Sequence, residues 1–332
     1  MMFPPYSHAR SPRPARPHLA LVAAALSLLS ACSVNDLFLE PREAQEVQAA
    51  DPVDPRSYGD QPEDVTVINT ARNKLTGWLF SRPGDRGTVL VAGGNGMGIA
   101  HTYTYNRFLL GHGFRVLVFS YQGFDGNEGK ADIASLPGDT EAFYRYAAER
   151  FQGEPIGFLG ESIGATAGFC AAADDEFSAI AVEGLIDPKS IAYTITDTWF
   201  SPPFSHVLTA MVRPLAALYA SAVPDGLGAD ACSARLRQTD VLFLHQRNDP
   251  VSAFATIQHL AQLRPRHSSL VELPHPTSAH LSLGQDVPAQ DRVVDFLLAN
   301  FAKSSSTLAA DAPARGAPEP GHSARASGAS GG

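Results

Sequence analysis

Six short apolar runs, each separated from the next by a helix-length segment, constrain this chain more than any other feature. They are Thr88 to Ala92, Arg115 to Ser120, Ile156 to Gly160, Ala179 to Gly184, Val241 to His245 and Leu270 to Leu273, rich in β-branched and aromatic residues and bounded by Gly, Pro or Asp. Continuous apolar strands alternating with helices require a parallel sheet covered on both faces. Upstream, Asp64 to Thr70 and Lys74 to Phe80 alternate instead and are joined by Ala71-Arg72-Asn73, which reads as an antiparallel hairpin. Helices are predicted over Tyr103 to Gly111, Asp139 to Phe151, Ile163 to Ala173, Ala253 to Leu263 and Gln290 to Phe301, with one or two more inside Pro203 to Ala222. The expectation is a single α/β domain over residues 62–302 with an eight-stranded, mostly parallel sheet, and hydrophobic residues at 44% suffice for one large core.

Gly160-Glu161-Ser162-Ile163-Gly164, directly after the third of these runs, is a G-x-S-x-G pattern that sets a serine on a sharp strand-to-helix turn. Side chains at the two glycines would collide with neighbouring backbone as the serine is pushed out of the sheet. Ser162 is therefore the candidate nucleophile. A nucleophilic serine needs a base, a group that orients the base, and donors for an oxyanion. Asp249 follows the seventh strand in His245-Gln246-Arg247-Asn248-Asp249-Pro250, and His280 lies between the last strand and the final helix, so both belong to loops at the carboxyl edge of the sheet. Glu183 and Asp187 compete for the acid position. His275 competes for the base, but it lies between two prolines and close to the strand end.

The oxyanion donors expected are the backbone N–H of Ile163 and one from Gly93-Gly94-Asn95-Gly96-Met97-Gly98, with Asn95 as the choice. A phosphate cradle in that loop fails on spacing: counted from Gly94, the last glycine of G-x-G-x-x-G falls on Ile99, and no acid stands about twenty residues on. No Walker lysine, C-x-x-C or H-E-x-x-H pattern is present, so neither a cofactor nor a metal is expected.

With these residues in place the chain resembles the α/β-hydrolases of the BEM46 or ABHD13-like group, over roughly Asp64 to Phe301. The marks are Gly94-Asn95-Gly96 where relatives have H-G-N, Tyr121-Gln122-Gly123-Phe124-Asp125-Gly126-Asn127-Glu128-Gly129 where they have Y-R-G-Y-G-x-S-x-G, the serine turn, and the Asp249 and His280 segments. The resemblance implies an α/β-hydrolase fold, with a short lid over residues 186–238 between strands six and seven, and esterase-like or serine peptidase-like activity. Gly93 stands where His is usual, Gln122 where Arg is usual, and Glu161 where Arg or His is common, which bears on rim electrostatics and substrate preference. Trp199, Phe200, Pro202, Pro203 and Phe204 within the lid favour an apolar or acyl substrate, unless they serve ordinary core packing.

Arg10, Arg13 and Arg16 precede the apolar run Leu19 to Ala31, a basic region and short apolar segment that form a secretory signal. The run is too short for a comfortable membrane span. Leu29-Ser30-Ala31-Cys32 looks like a bacterial lipobox, implying cleavage after residue 31 and acylation of Cys32. Ser33 in place of Asp resembles outer-membrane sorting, so the protein is expected in the cell envelope, facing the periplasm. Residues 32–61 read as a flexible tether, and residues 303–332, mostly Ser, Ala, Gly and Pro, as a disordered tail.

The leader carries three of the 25 basic residues and no acids, leaving 22 against 34 and a formal charge of −12. Such a chain is a poor partner for nucleic acid. The compartment permits a disulfide between Cys170 and Cys232, although Cys170, on the helix after the serine turn, is expected to be a small buried apolar group.

The expectation as a whole is a lipid-anchored serine hydrolase of carboxylic esters or thioesters, with small-molecule acyl substrates. Amide hydrolysis is the nearer alternative, and a non-catalytic binding lipoprotein on the same fold the more distant one. Cys32→Ser should convert a detergent-phase protein into a soluble or uncleaved one. Wild-type protein that partitions into water after processing would contradict the anchor.

Overall fold

Eight strands form one sheet in the order β1-β2-β4-β3-β5-β6-β7-β8. The computed structural model describes Leu39 and residues 54–172, 177–199, 205–274 and 280–311. β1 (Glu63–Ile68) and β2 (Lys74–Phe80) pair antiparallel, with Glu63 opposite Leu79 and Ile68 opposite Lys74. β2 joins the rest by a second antiparallel pairing to β4 (Arg115–Phe119). β3 (Thr88–Ala92), β4, β5 (Ile156–Glu161), β6 (Ala179–Glu183), β7 (Asp240–His245) and β8 (Ser268–Glu272) run parallel.

Burial explains the two sequence patterns. β3, β4 and β6 are buried at every position, as strands covered on both faces must be. β1, at the edge, alternates between exposed and buried from Asp64 to Ile68. Successive side chains of β3 enter different layers. Leu90 and Ala92 pack with Phe143, Phe169, Ile257 and Leu260 on one side. Val89 and Val91 pack with Tyr103, Leu109, Val293, Leu297 and Phe301 on the other.

The helices are α1 (Ile99–Asn106), α2 (Phe108–Gly111), α3 (Leu136–Arg150), α4 (Ile163–Ala171), α5 (Ile191–Trp199), α6 (Ser205–Ala222), α7 (Ala229–Arg235), α8 (Phe254–Leu263) and α9 (Val287–Asp311). The single helix expected over Tyr103 to Gly111 is thus two, beginning earlier at Ile99. α5, α6 and α7 occupy the insertion between β6 and β7.

Three expectations need correction. The tail does not begin at 303, because α9 continues to Asp311. Lys303 Nζ reaches Asp240 Oδ2 at 2.9 Å, and the Ser304 and Ser305 hydroxyls bond back to the carbonyls of Asn300 and Phe301. Extending a nucleated helix costs little per residue, so a composition poor in apolar residues does not stop it over the nearly three turns beyond Phe301. Residues 312–332 lie outside the described ones.

The second correction concerns the tether, which is packed in part. Leu39 is buried in the core, and Pro55–Tyr58 form a 3-10 turn. Behind it the Asp60 carboxylate, 3% exposed, accepts from Arg82, Arg107 and the Tyr103 hydroxyl. Burial pushes this carboxyl up, but the Tyr103 hydroxyl and the two guanidiniums outweigh that effect and hold it below the usual range. One well-satisfied acid leaves no periodic pattern to read.

Third, Cys170 on α4 and Cys232 on α7 are both buried and form a disulfide, with Cα atoms 4.8 Å apart. Their separation of 62 residues spans β6 and most of the insertion. Closing a loop of that size constrains the unfolded chain by about 4 kcal/mol in the chain-entropy account. Cys170→Ser or Cys232→Ser should lower the unfolding free energy by about 2 to 4 kcal/mol in denaturant titrations, and reductant should lower the wild type but not the variants.

Candidate active site

β5 ends at Glu161 and α4 begins at Ile163, so Ser162 alone makes the turn, at φ 56° and ψ −118°. A residue with a side chain tolerates that conformation only where its surroundings enforce it. The Ser162 N–H donates to the Glu183 carbonyl at 2.9 Å, tying the turn to β6. A Cβ on Gly164 would lie 2.2 Å from the Ala92 oxygen, so glycine alone lets α4 start this close to the end of β3.

The structure brings Ser162, His280 and Asp249 together from three loops. His280 Nε2 stands 2.8 Å from Ser162 Oγ, and His280 Nδ1 stands 2.7 Å from Asp249 Oδ2. A carboxylate only accepts, so the geometry assigns the proton to Nδ1 and leaves Nε2 to accept from the serine. The second Asp249 oxygen takes the N–H groups of Val251 and Ser252 at 2.7 and 2.9 Å, and the side chain is fully buried. Asp249 is thereby oriented by its own turn.

Asp187, one rival for the acid, instead accepts from Ala229 N at the start of α7. Glu183, the other, faces the amides that follow His280. His275 lies outside the described residues.

His245, at the end of β7, was not singled out by sequence reasoning because an apolar run ending in His resembles any strand end. Its Nε2 bonds the Ser252 carbonyl at 2.9 Å, and burial lowers its basicity. A neutral His245 leaves the Asp249 charge directed at His280.

Ile163 adjoins the serine, and the loop that carries Asn95 approaches it at Gly94. Ile163 is the first residue of α4, where an N–H has no intrahelical acceptor and the helix dipole favours negative charge. Asn95 lies in the Gly94–Met97 turn, closed by Met97 N to Gly94 O at 3.1 Å, and a Cβ on Gly94 would stand 3.1 Å from Ser162 Cβ. The Asp125 carboxylate accepts from Ile99 N at 3.1 Å and pins the far end of that loop.

Two residues weighed for rim electrostatics lie inside the protein. Gln122 is enclosed by the amides of Asn69 and Asn73 and the Lys130 carbonyl. Glu161 is 0% exposed, the last residue of an interior strand that is buried at every position. It accepts from Asn106 Nδ2 at 2.7 Å through one oxygen, while the other has no hydrogen-bond partner among the described residues. Burial, and next to it the Glu183 charge, push its carboxyl well above the ordinary range. Among the described residues no group of three His, Cys, Asp or Glu side chains is placed to hold a metal ion.

Comparison with solved structures places the chain in the α/β-hydrolase fold. The Pyrococcus furiosus esterase Pf2001 superposes with a TM-score of 0.58 at 18% identity, covering 78% of this chain and 97% of its own. The α/β-hydrolase GrgF from Penicillium sp. sh18 gives 0.56 at 14% identity, over 73% and 99%. Est1E from Butyrivibrio proteoclasticus gives 0.53 at 15%, over 72% and 100%. No protein-family model matches the chain. In sequence it is similar to two uncharacterised Mycobacterium tuberculosis proteins. One is 29% identical over 150 residues, covering 43% of this chain and 53% of the relative. The other is 32% identical over 106 residues, covering 31% and 38%. The chain therefore spans about half or less of the curated relatives it matches.

The raised Glu161 carboxyl has a consequence for stability. Above the ordinary glutamate value of 4.5, the native state retains a proton that the unfolded chain has released, so stability falls as pH rises toward the raised value. Glu161→Gln removes that titration. Its stability relative to wild type should climb from about pH 4.5 upward in parallel denaturant titrations, whereas a flat difference would show that Glu161 is ionised in the native state.

Proposed function

We propose that this protein is a serine hydrolase that cleaves carboxylic esters or thioesters through an acyl-enzyme on Ser162, and that it belongs with the BEM46 or ABHD13-like hydrolases. The continuous Ser162–His280–Asp249 hydrogen-bond chain at a strained strand-to-helix turn carries the reading. His280 Nε2 takes the Ser162 proton as Oγ bonds to the substrate carbonyl carbon. The oxyanion collects on the N–H groups of Ile163 and Asn95. Collapse breaks the bond to the alcohol or thiol, which leaves with the proton from His280. Water then attacks the acyl-enzyme by the same proton route in reverse and releases the acid. Asp249 keeps the imidazole in the working tautomer and stabilises its charged form.

The esterases among the structural neighbours support the ester assignment at the level of shared fold. The basic leader, the apolar run and Cys32 support export and lipid anchoring at the outer membrane facing the periplasm. Cys32 lies outside the described residues, among which no helix is long and apolar enough to cross a membrane. The Cys170–Cys232 disulfide supports an oxidising compartment.

Ser162→Ala and His280→Ala should each reduce turnover of p-nitrophenyl esters by roughly 10³ to 10⁶-fold, the double variant scarcely more, and Asp249→Asn somewhat less. Labelling by a fluorophosphonate should vanish in Ser162→Ala. Wild-type protein that neither labels nor turns over short or long esters and thioesters would defeat the reading. Loss of labelling in His275→Ala, with labelling intact in His280→Ala, would move the base.

A further inference from the structure

Glu161 and Glu183 stand opposite each other in the register of β5 and β6, two carboxylates buried side by side beneath the site. Their surroundings are unequal. Glu183 receives three donors: Ser282 N–H at 2.6 Å and Leu283 N–H at 2.8 Å on one oxygen, and the Tyr105 hydroxyl at 2.9 Å on the other. Glu161 receives one, from Asn106. Burial raises both carboxyls, Glu161 the further, and donors favour the charged form, so of the pair Glu161 holds its proton the more firmly and Glu183 is the one placed to carry the negative charge.

That carboxylate lies close enough to the base for the Glu183 and His280 charges to act on each other. Ser282 and Leu283 lie two and three residues after His280 in the chain, and the next residue after Glu183, Gly184, turns at φ +57° against the imidazole. A Cβ there would lie 2.9 Å from His280 Cε1 and 3.2 Å from Nδ1. Through its backbone carbonyl Glu183 also holds the Ser162 N–H. The other ionisable groups around the pair are Tyr105 from α1, Tyr121 after β4, His280, and beyond it Asp249 and His245.

We infer that Glu183 is a positioning residue for His280: its carboxylate clamps the chain that carries the base and supplies a second fixed negative charge, beside that of Asp249, for the imidazolium formed during turnover. The inference rests on the hydrolase reading above. In that reaction the charge on His280 appears only as Ser162 gives up its proton, so an anion set in advance near the ring lowers the barrier rather than strengthening substrate binding.

Glu183→Gln keeps an oxygen for the Ser282 and Leu283 amides and removes the charge. Glu161→Gln is the matched change at the neutral member of the pair, and Glu183→Ala removes both clamp and charge. Turnover of p-nitrophenyl butyrate is measured per site counted by fluorophosphonate labelling, on protein with wild-type circular dichroism. Glu183→Gln should lose kcat by about tenfold or more, with KM within about threefold, and Glu183→Ala about a hundredfold. Glu161→Gln should lose far less than Glu183→Gln. A Glu183→Gln enzyme within about threefold of wild-type kcat overturns the inference whatever Glu183→Ala does, as does an equal loss in Glu161→Gln. Should Glu183→Ala not fold, the two glutamine variants decide alone. An inert wild type defeats the hydrolase reading and this inference with it, whereas an active wild type with an equally active Glu183→Gln defeats this inference only.

Discussion

Ser162 occupies a backbone conformation that costs a residue with a side chain on the order of 1 to 3 kcal/mol, and the architecture around it holds it there. β5 is flanked by β3 and β6 in parallel register, so the turn at its end is fixed on both sides. The Glu183 carbonyl takes the serine's N–H from one side. On the other, the Gly164 backbone lies against the last carbonyls of β3, where a side chain would strike Ala92 and Gly93. The strand order reverses here, β3 lying between β4 and β5, and a crevice opens at the carboxyl ends of strands at such a point. The loop after β3 and the start of α4 thus meet around one hydroxyl.

Charge in this region is managed by unequal hydrogen bonding. Asp249 is fully buried yet has two backbone donors and His280, while His245 beside it is kept neutral by burial. Removing an acid from water is costly unless donors replace the water. Asp249 and Glu183 have those donors, and Glu161 has one. Burial raises both of these neighbouring carboxylates, and the richer set of donors on Glu183 holds it lower than Glu161.

Away from the crevice, the insertion between β6 and β7 is fastened rather than merely laid on the sheet. α7 is joined to α4 by the Cys170–Cys232 disulfide, and Asp187 bonds the amide at the start of α7. The helix that follows the nucleophile and the segment that follows β6 are thereby one mechanical unit. At the opposite edge, Asp60 with Arg82, Arg107 and Tyr103 seats the chain leading into β1 against α1.

The parallel core was legible in the sequence because burial on both faces demands uninterrupted apolar runs; β2 and β3 have the bounds read from the residues, and the other strands differ by one or two residues. Ser162, with Gly160 and Gly164, was legible for a similar reason: a sharp strand-to-helix turn admits few residue types, and they are contiguous. Asp249 and His280 could be placed at the right sheet edge but not in contact, since 118 residues separate Ser162 from His280 and only the fold closes that distance to 2.8 Å. The Cys170–Cys232 pairing, the continuation of α9, the seat of Asp60 and the split between Glu161 and Glu183 were not legible. Each depends on which distant donor, thiol or backbone lies within a few ångströms, and periodicity records only which face a residue belongs to. Local pattern thus settled the class of fold and the turn that carries the serine, whereas proximity between remote segments, which exists only once the chain has packed, decided where the charges reside.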